Sequence, residues 1–110
     1  MILVNLGAKI IKVERPKTGD DSRSFGPYKN GQSAYFVSLN RGKKSIAIDL
    51  KKPEGKQIIK ELTKVSDVVL ENFRPGTTRK LGLSYDVLGQ INPRIIYAAI
   101  SGFGHTGPYS

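Results

Sequence analysis

Residues 53–71, PEGKQIIKELTKVSDVVLE, join a helical pattern directly to a strand pattern. Lys51–Val65 predicts a helix, because Pro53 and Glu54 suit its first turn and apolar residues then recur on one helical face, at positions 58, 59, 62 and 65. The short apolar run that follows, Asp67–Glu71, is typical of a strand. A helix that leads into a strand within so few residues indicates an α/β fold.

Further strands and a further helix are predicted on both sides of this stretch. Lys9–Glu14 (KIIKVE), Ser45–Leu50 (SIAIDL) and Ile95–Ile100 (IIYAAI) each predict a strand, and Ser84 is suited to cap a helix that ends near Gln90. Strands that alternate with helices over short connections are typical of βαβ units around a parallel sheet. The nearly unbroken apolar runs DVVL and IIYAAI predict strands that are buried on both faces.

The remaining segments are less regular. Met1–Leu6 is similar to the last turns of an apolar helix, and Thr77–Leu81 predicts a short turn or helix. Arg15–Asn30 is rich in Pro, Gly, Asp and Ser and predicts a long polar loop, a kind of segment that is often functional. Gln32–Leu39 fits either a helix or an extended strand.

The composition is that of one small globular domain. The 110 residues are 38% hydrophobic and 25% charged, and no apolar run approaches the length that crosses a membrane. The first residues carry no secretory leader, so we expect a cytoplasmic protein that does not bind membranes. The absence of cysteine excludes disulfides and thiolate metal sites and fits an intracellular protein.

The strongest global property is positive charge. Eighteen Lys and Arg residues against nine Asp and Glu residues give a net charge of +9, which attracts nucleic acid, anionic lipid or a phosphorylated small molecule. The basic residues are dispersed, and the chain lacks an arginine-rich arm, zinc-finger spacing and an aromatic RNA-binding strand. Nucleic-acid binding is therefore favoured by net charge alone, and we expect none.

Polar and cationic residues follow each predicted strand. If the strands are parallel, these residues share one edge of the sheet, where open α/β sheets bind ligands. Cations suit phosphate groups, and an aromatic ring with an amide suits a base. The strand ends therefore predict a ligand that carries phosphates and an aromatic base. The residues concerned are Arg15, Asp49, Lys51, Asn72, Phe73, Arg74, Ser101, Gly102, Phe103 and Gly104.

Other motifs carry less chemistry. Asp20 and Asp21 are adjacent in a loop and are better suited to forming a turn than to paired acid–base work. His105 is the only histidine and has no evident acid or nucleophile partner. The glycine-rich segment 102–107 lacks both dinucleotide-binding and P-loop spacing. The sequence therefore predicts no catalytic residue and no metal site within these residues.

Four blocks of the chain, taken in order, resemble a known family. They are LGAKIIKVERPKTGDDSRSFGP, SAYFVSLNRGKKSIAIDLKKPEG, DVVLENFRPGTTRKLGLSYDVL and NPRIIYAAISGFGHTGPYS. Together they resemble the N-terminal region of the class III coenzyme A transferases, a family that includes formyl-CoA and carnitine-type CoA-transferases and related methylacyl-CoA racemases. The resemblance covers nearly the whole chain.

The resemblance implies a fold and a reaction. The fold is a Rossmann-like parallel sheet with flanking helices, of which residues 1–110 would be an incomplete, CoA-binding portion of the large domain, without its first strand and its C-terminal remainder. Two chains of the full-length protein would interlock as a homodimer. The reaction transfers coenzyme A from an acyl-CoA to a carboxylic acid, with CoA as substrate and no permanently bound cofactor. Its nucleophile, an aspartate, would lie outside this chain, because none of the aspartates present matches it.

The resemblance also implies residues that contact CoA. Arg15 is expected at the nucleotide, and Lys80 stands where the family commonly has arginine, so it offers a point charge instead of a bidentate fork. Ser101 to Gly104 correspond to a glycine-rich loop near the pantetheine arm. The complete expected set is Arg15, Ile48, Asp49, Leu50, Lys51, Asn72, Phe73, Arg74, Lys80, Ser101, Gly102, Phe103 and Gly104.

Two alternatives remain open at this point. A racemase of the same superfamily would move a proton beside the thioester carbonyl instead of transferring CoA. A non-catalytic basic module would bind nucleotides or nucleic acid, and its affinity would fall steeply with salt if it tracked a phosphate backbone.

Overall fold

A computed structural model describes all 110 residues and divides them into two compact units, residues Met1–Asp49 and Leu50–Ser110. Each unit contains one parallel pair of short strands together with helices. The expected mixed α/β class, with parallel strands and flanking helices, is confirmed.

The first unit is built around strands β1 and β4. Its elements are α1 (Ile2–Asn5), β1 (Ile11–Glu14), a 3-10 helix (Asp21–Ser24), β2 (Tyr28–Lys29), β3 (Gln32–Ser33), α2 (Ala34–Asn40) and β4 (Lys44–Ala47). β1 and β4 are parallel, with Ile11 opposite Lys44 and Glu14 opposite Ala47. β2 and β3 form a small hairpin whose turn residues, Asn30 and Gly31, have the positive φ angles of a tight hairpin turn.

The second unit is built around strands β5 and β6. Its elements are α3 (Pro53–Lys64), β5 (Val68–Glu71), α4 (Thr77–Leu81), α5 (Tyr85–Ile91) and β6 (Ile96–Ala99). β5 and β6 are parallel, with Val68 opposite Ile96 and Glu71 opposite Ala99. α3 packs against α5, and Leu88 of α5 is almost completely buried.

The connection between α5 and β6 is fixed by one side chain. The amide nitrogen of Asn92 donates to the carbonyl oxygens of Thr63 and Ser66, each at 3.0 Å, at the end of α3. The amide oxygen of Asn92 accepts the backbone N–H of Arg94 at 3.1 Å. This side chain therefore caps the end of α3 and sets the start of β6 at the same time.

The expected parallel pairing of the main strands is confirmed, β1 with β4 and β5 with β6, and two other sequence expectations are corrected. β5 and β6 are not buried on both faces, since Val68, Leu70 and Ile96 are exposed. Ser84 precedes α5 but forms no side-chain cap, so only its carbonyl oxygen bonds to the helix.

Two further segments differ from their simplest interpretation. The predicted loop 15–30 contains the 3-10 helix and β2, and its polar residues hydrogen-bond with one another. The ambiguous segment 32–39 is first strand and then helix, and the change occurs at Ser33, whose hydroxyl accepts the N–H of Phe36 at 3.1 Å as an N-cap.

The longest helix, α3, has 12 residues, and no helix of this chain combines the length and apolar character that a membrane span requires.

Candidate functional site

In the first unit, parallel pairing places two of the expected segments at one edge. Glu14 is opposite Ala47, and the N–H of Ile48 donates to the carbonyl oxygen of Glu14 at 2.9 Å. Arg15 and Ile48 therefore leave their strands side by side. The chain after Arg15 turns at once, because the N–H of Gly19 returns to the carbonyl oxygen of Arg15 at 3.1 Å.

A pocket of about 290 Å³ lies at this edge. Three cationic side chains, those of Arg15, Lys17 and Arg23, contribute to its wall. The full lining is Glu14, Arg15, Lys17, Thr18, Gly19, Arg23, Ser45 and Ala47. A pocket with this wall suits an anionic group, since a guanidinium or ammonium forms charge-assisted hydrogen bonds with phosphate.

Arg15 is accessible within this pocket. Its guanidinium pairs with the carboxylate of Asp21, and its Nε lies 3.4 Å from the carbonyl oxygen of Gly19. The side chains of Arg15 and Asp21 are both largely exposed, so solvent screens their attraction. An incoming phosphate can therefore replace Asp21 as the partner of Arg15 at little cost.

Glu14 is the buried acid of the pocket wall, with only 6% of the residue exposed. Its carboxylate accepts from Arg23 Nε at 2.8 Å and Arg23 Nη2 at 2.9 Å, from Ser45 Oγ at 2.9 Å and from the backbone N–H of Asp20 at 3.0 Å. The hydrogen bonds from Arg23 are the main reason why the pKa of Glu14 falls to about 2 from its ordinary 4.5, against the opposing effect of burial. Glu14 is therefore ionised and fully occupied.

Asp20 and an aromatic ring extend this network. Asp20 bonds to Lys12 Nζ at 2.7 Å and to the N–H of Ser22 at 2.8 Å, and the bond from Lys12 is the main cause of its lowered pKa. Arg23 lies over the ring of Phe36, with its guanidinium carbon 3.9 Å from the ring centroid. The hydrogen bond to Glu14 raises the pKa of Arg23.

The residues of the segment 48–51 differ in their exposure to solvent. Ile48 is buried and its N–H is bonded to the carbonyl oxygen of Glu14, whereas Asp49 and Leu50 are half-buried and Lys51 is exposed. Asp49 closes the first unit, and Leu50 and Lys51 open the second.

In the second unit, the strand pair β5–β6 brings together the other two expected segments. Glu71 is opposite Ala99, and the N–H of Ile100 donates to the carbonyl oxygen of Glu71 at 2.9 Å. The segments that begin at Asn72 and Ser101 therefore start at the same edge. The carboxylate of Glu71 accepts the N–H of Phe73 at 2.7 Å and fixes the first turn after β5.

The side chains of this edge are open to solvent. Asn72, Phe73, Arg74 and Lys80 are exposed, Lys80 on the short helix α4 that follows Arg74. On the β6 side Ser101 is half-buried, and Gly102, Phe103 and Gly104 are exposed. This edge offers an amide, an exposed aromatic ring and cations, a combination suited to a base and a phosphate.

Sequence reasoning did not identify Arg23, Lys17 and Gly19 as parts of the site. The sequence shows only that they lie in the polar loop, because local sequence patterns do not reveal that the side chain of Arg23 hydrogen-bonds to Glu14. The chain contains no group of three or more His, Cys, Asp or Glu residues arranged to hold a metal ion.

Comparison with known proteins gives a consistent result. The sequence model of CoA-transferase family III matches residues 1–110. The chain is 52% identical over 111 residues to the succinyl-CoA:glutarate CoA-transferase of Mus musculus, covering 100% of this chain and 26% of that protein. It is 52% identical over 107 residues to the acetyl-CoA:oxalate CoA-transferase of Acetobacter aceti, covering 97% of this chain and 28% of that protein.

A solved structure agrees with these relatives. The crystal structure of a CAIB/BAIF family protein from Brucella suis matches with a TM-score of 0.90 and 49% identity, over 97% of this chain and 29% of that chain. The chain thus spans about a quarter of the length of the proteins that it matches.

Proposed function

The chain belongs to CoA-transferase family III, and from this premise we propose that residues 1–110 are the CoA-binding part of an enzyme that moves coenzyme A from an acyl-CoA to a carboxylic acid. The activity of the whole protein is part of this proposal, because the chain spans about a quarter of its curated relatives. The relatives are named for transfer between an acyl-CoA and glutarate or oxalate, and we extend only the class of reaction to this chain.

The observation that supports CoA binding most directly is the placement of cations at the ends of parallel strands. In the first unit Arg15 lies in the wall of a pocket that also contains Lys17 and Arg23. In the second unit Asn72, Phe73 and Arg74 begin at the edge where β6 also ends. CoA carries an adenine, a 3′-phosphate and a pyrophosphate, and these are the groups that cations, an amide and an aromatic ring recognise.

We assign the contacts as the family resemblance implies them. Arg15 contacts the nucleotide of CoA, and the segment 48–51 flanks the adenosine. Asn72, Phe73 and Arg74 form a further contact, with Lys80 supplying a point charge to a phosphate. The glycine-rich segment 101–104 contacts CoA near the pantetheine arm, where the lack of side chains lets the backbone approach closely.

The chemical step follows the family mechanism. An aspartate carboxylate attacks the thioester carbonyl and displaces CoA as a thiolate, which gives an acyl-aspartyl anhydride. The thiolate then attacks the aspartyl carbonyl and releases the first acid, leaving an aspartyl-CoA thioester. The acceptor carboxylate takes over the CoA by the reverse sequence. No aspartate of residues 1–110 has this role, and we therefore expect no turnover from these residues alone.

The full-length protein is proposed to be a cytoplasmic homodimer. Ile2, Leu3 and Leu6 of the first unit are exposed, and we expect the rest of the full-length protein or its partner chain to cover them. Analytical ultracentrifugation of the full-length protein tests the dimer, and a monomer at micromolar concentration contradicts it.

Titration with CoA tests the binding proposal. Isothermal calorimetry and heteronuclear NMR of the 110-residue chain are carried out with CoA and with dephospho-CoA, after dispersed amide signals have shown that the sample is folded. We expect saturable CoA binding that weakens without the 3′-phosphate. Arg74→Ala should weaken CoA binding about tenfold, because one charge-assisted hydrogen bond is lost.

The matched control is Arg94→Ala. Arg94 is also exposed in the second unit, but it precedes β6 and so lies at the opposite end of the strand from Ser101. Equal losses in the two variants, or no saturable binding by folded wild-type chain, contradict the proposal. Affinity that falls steeply with salt and does not distinguish CoA from single-stranded DNA supports the nucleic-acid module instead.

A further inference from the structure

Glu14 is a carboxylate beside a cation that is proposed to bind CoA. It immediately precedes Arg15 and lies in the wall of a pocket whose other charged residues, Arg15, Lys17 and Arg23, are cations. A carboxylate in such a wall repels phosphate unless its charge is compensated. Here it is compensated completely, since two nitrogens of Arg23, the hydroxyl of Ser45 and the N–H of Asp20 all donate to it.

These donors come from two parts of the first unit, strand β4 and the loop that contains the 3-10 helix. Ser45 belongs to β4, Asp20 precedes the 3-10 helix, and Arg23 is part of that helix. Glu14 itself ends β1. One buried carboxylate therefore joins the strand pair to the loop that carries Arg15 and Lys17.

The backbone of the loop is shaped around this carboxylate. Gly19 has a φ of +67°, and a Cβ added there would lie 2.6 Å from Glu14 Oε2 and 2.9 Å from both Cδ and Nε of Arg23. The loop thus passes so close to the ion pair that only a residue without a side chain fits. On its other side Arg23 is stacked on Phe36 of α2, which restricts the guanidinium further.

We propose that Glu14 is a positioning residue for CoA binding: through Arg23 and the N–H of Asp20 it holds the loop 15–24 closed, so that Arg15 and Lys17 are kept in the pocket wall before the ligand arrives. This inference rests on the proposed function and adds to it a residue that does not contact CoA. Ordering the loop in advance raises affinity, because less conformational freedom is lost on binding.

The first experiment measures the loop without ligand. Amide hydrogen exchange of Gly19, Asp20 and Arg23 is recorded by NMR in wild type, in Glu14→Gln and in Ser45→Ala. We expect exchange at these amides to be at least about tenfold faster in Glu14→Gln, since the hydrogen bonds that Glu14 accepts from Asp20 and Arg23 are weakened. Ser45→Ala keeps the ion pair between Arg23 and Glu14 and removes only the hydrogen bond from Ser45. It should accelerate exchange by a smaller factor, and it provides the test if Glu14→Gln does not fold.

The second experiment measures CoA affinity in a double-mutant cycle. Glu14→Gln and Arg15→Ala are each expected to weaken CoA binding about tenfold. If Glu14 acts through Arg15 and Lys17, the loss of affinity in the double variant is smaller than the product of the two single losses, about a hundredfold. A residue that only stabilises the fold would lower the melting temperature and leave the affinity of the folded chain unchanged.

The control is Glu54→Gln, which makes the same change of charge at an exposed site in the first turn of α3. It should leave both loop exchange and CoA affinity unchanged. Unchanged loop exchange in Glu14→Gln overturns the positioning role, and so do fully additive losses of affinity. Failure of folded wild-type chain to bind CoA overturns the proposed function and with it any role of Glu14 towards CoA, while the exchange data still decide whether Glu14 orders the loop.

Discussion

Replacing Gly19 by alanine should destabilise the first unit by more than the usual cost of placing an alanine at a positive φ angle. The new Cβ would stand 2.6 Å from Glu14 Oε2 and 2.9 Å from Arg23 Nε, closer than real Cβ contacts. Neither neighbour can withdraw freely, because Glu14 is buried among four donor atoms and Arg23 is stacked on Phe36. The substitution therefore separates the ion pair or moves the loop.

The magnitude has two parts. A left-handed φ costs an alanine about 1 kcal/mol. A charge-assisted hydrogen bond contributes about 1.5–3 kcal/mol, and we count the two bonds of the Arg23–Glu14 pair together as only one such bond, about 2 kcal/mol, because 45% of the Arg23 side chain is exposed to solvent. Gly19→Ala should then lower the free energy of unfolding by about 3 kcal/mol.

The assay is urea unfolding followed by circular dichroism, with Gly31→Ala as the matched control. Gly31 has a similar φ, +74°, in the same unit, but a Cβ added there meets nothing within 4 Å. It should therefore show only the left-handed strain, about 1 kcal/mol. Equal destabilisation by the two variants would refute the reasoning, because it would mean that the loop yields without disturbing the pair.

Three further predictions concern pH, a binding residue and the second unit. The folded pKa of Glu14 is about 2 against an ordinary 4.5, so its contribution to stability is present above about pH 5 and is lost as the pH falls towards 2. This corresponds to about 3 kcal/mol. In urea titrations between pH 7 and 2, the free energy of unfolding should therefore fall by about 3 kcal/mol more in wild type than in Glu14→Gln, in which Asp20, whose pKa is also lowered, still contributes. Lys80→Arg should strengthen CoA binding severalfold in calorimetry, because a guanidinium can form a bidentate contact with phosphate; an unchanged or weaker affinity argues against a phosphate at this position. Asn92→Ala should lower the stability of the second unit by about 2 kcal/mol in urea unfolding, since it removes the hydrogen bonds to Thr63 and Ser66, and a loss below 0.5 kcal/mol, within the range of an ordinary surface substitution, contradicts this role.

Much of the fold could be predicted from local pattern. The helix predicted at Lys51–Val65 is observed at Pro53–Lys64, and the strand predicted at Ile95–Ile100 is observed at Ile96–Ala99. Both predictions depend on apolar periodicity and on the prolines Pro53 and Pro93 that stand near the element ends, and these effects act over short distances along the chain. Strand pairing is different. It depends on hydrogen bonds between residues about thirty positions apart, so the sequence pattern predicts parallel strands but not which strands are hydrogen-bonded to each other.

The candidate site divides in the same way. Arg15 and the segment 72–74 could be found because residues after a parallel strand occupy a known edge of the sheet, and the register confirms that each lies at the end of such a pair. Their role in binding CoA stays a prediction. Arg23 could not be found, since its return to Glu14 depends on the path of the loop between them and on the left-handed turn at Gly19.

The acids at the strand ends, Glu14 and Glu71, help to explain how a chain of net charge +9 holds cationic side chains in defined positions. Glu14 and Glu71 each end a parallel strand, and each accepts a backbone N–H from the loop that follows, from Asp20 in one unit and Phe73 in the other. Without such acceptors, each loop would lose a hydrogen bond that holds its backbone next to the end of the strand. An acid that accepts hydrogen bonds from its own loop holds the neighbouring cations in place while leaving them accessible to an anion. The acids therefore support anion binding although they carry the charge of the ligand, and their removal should harm binding as well as stability.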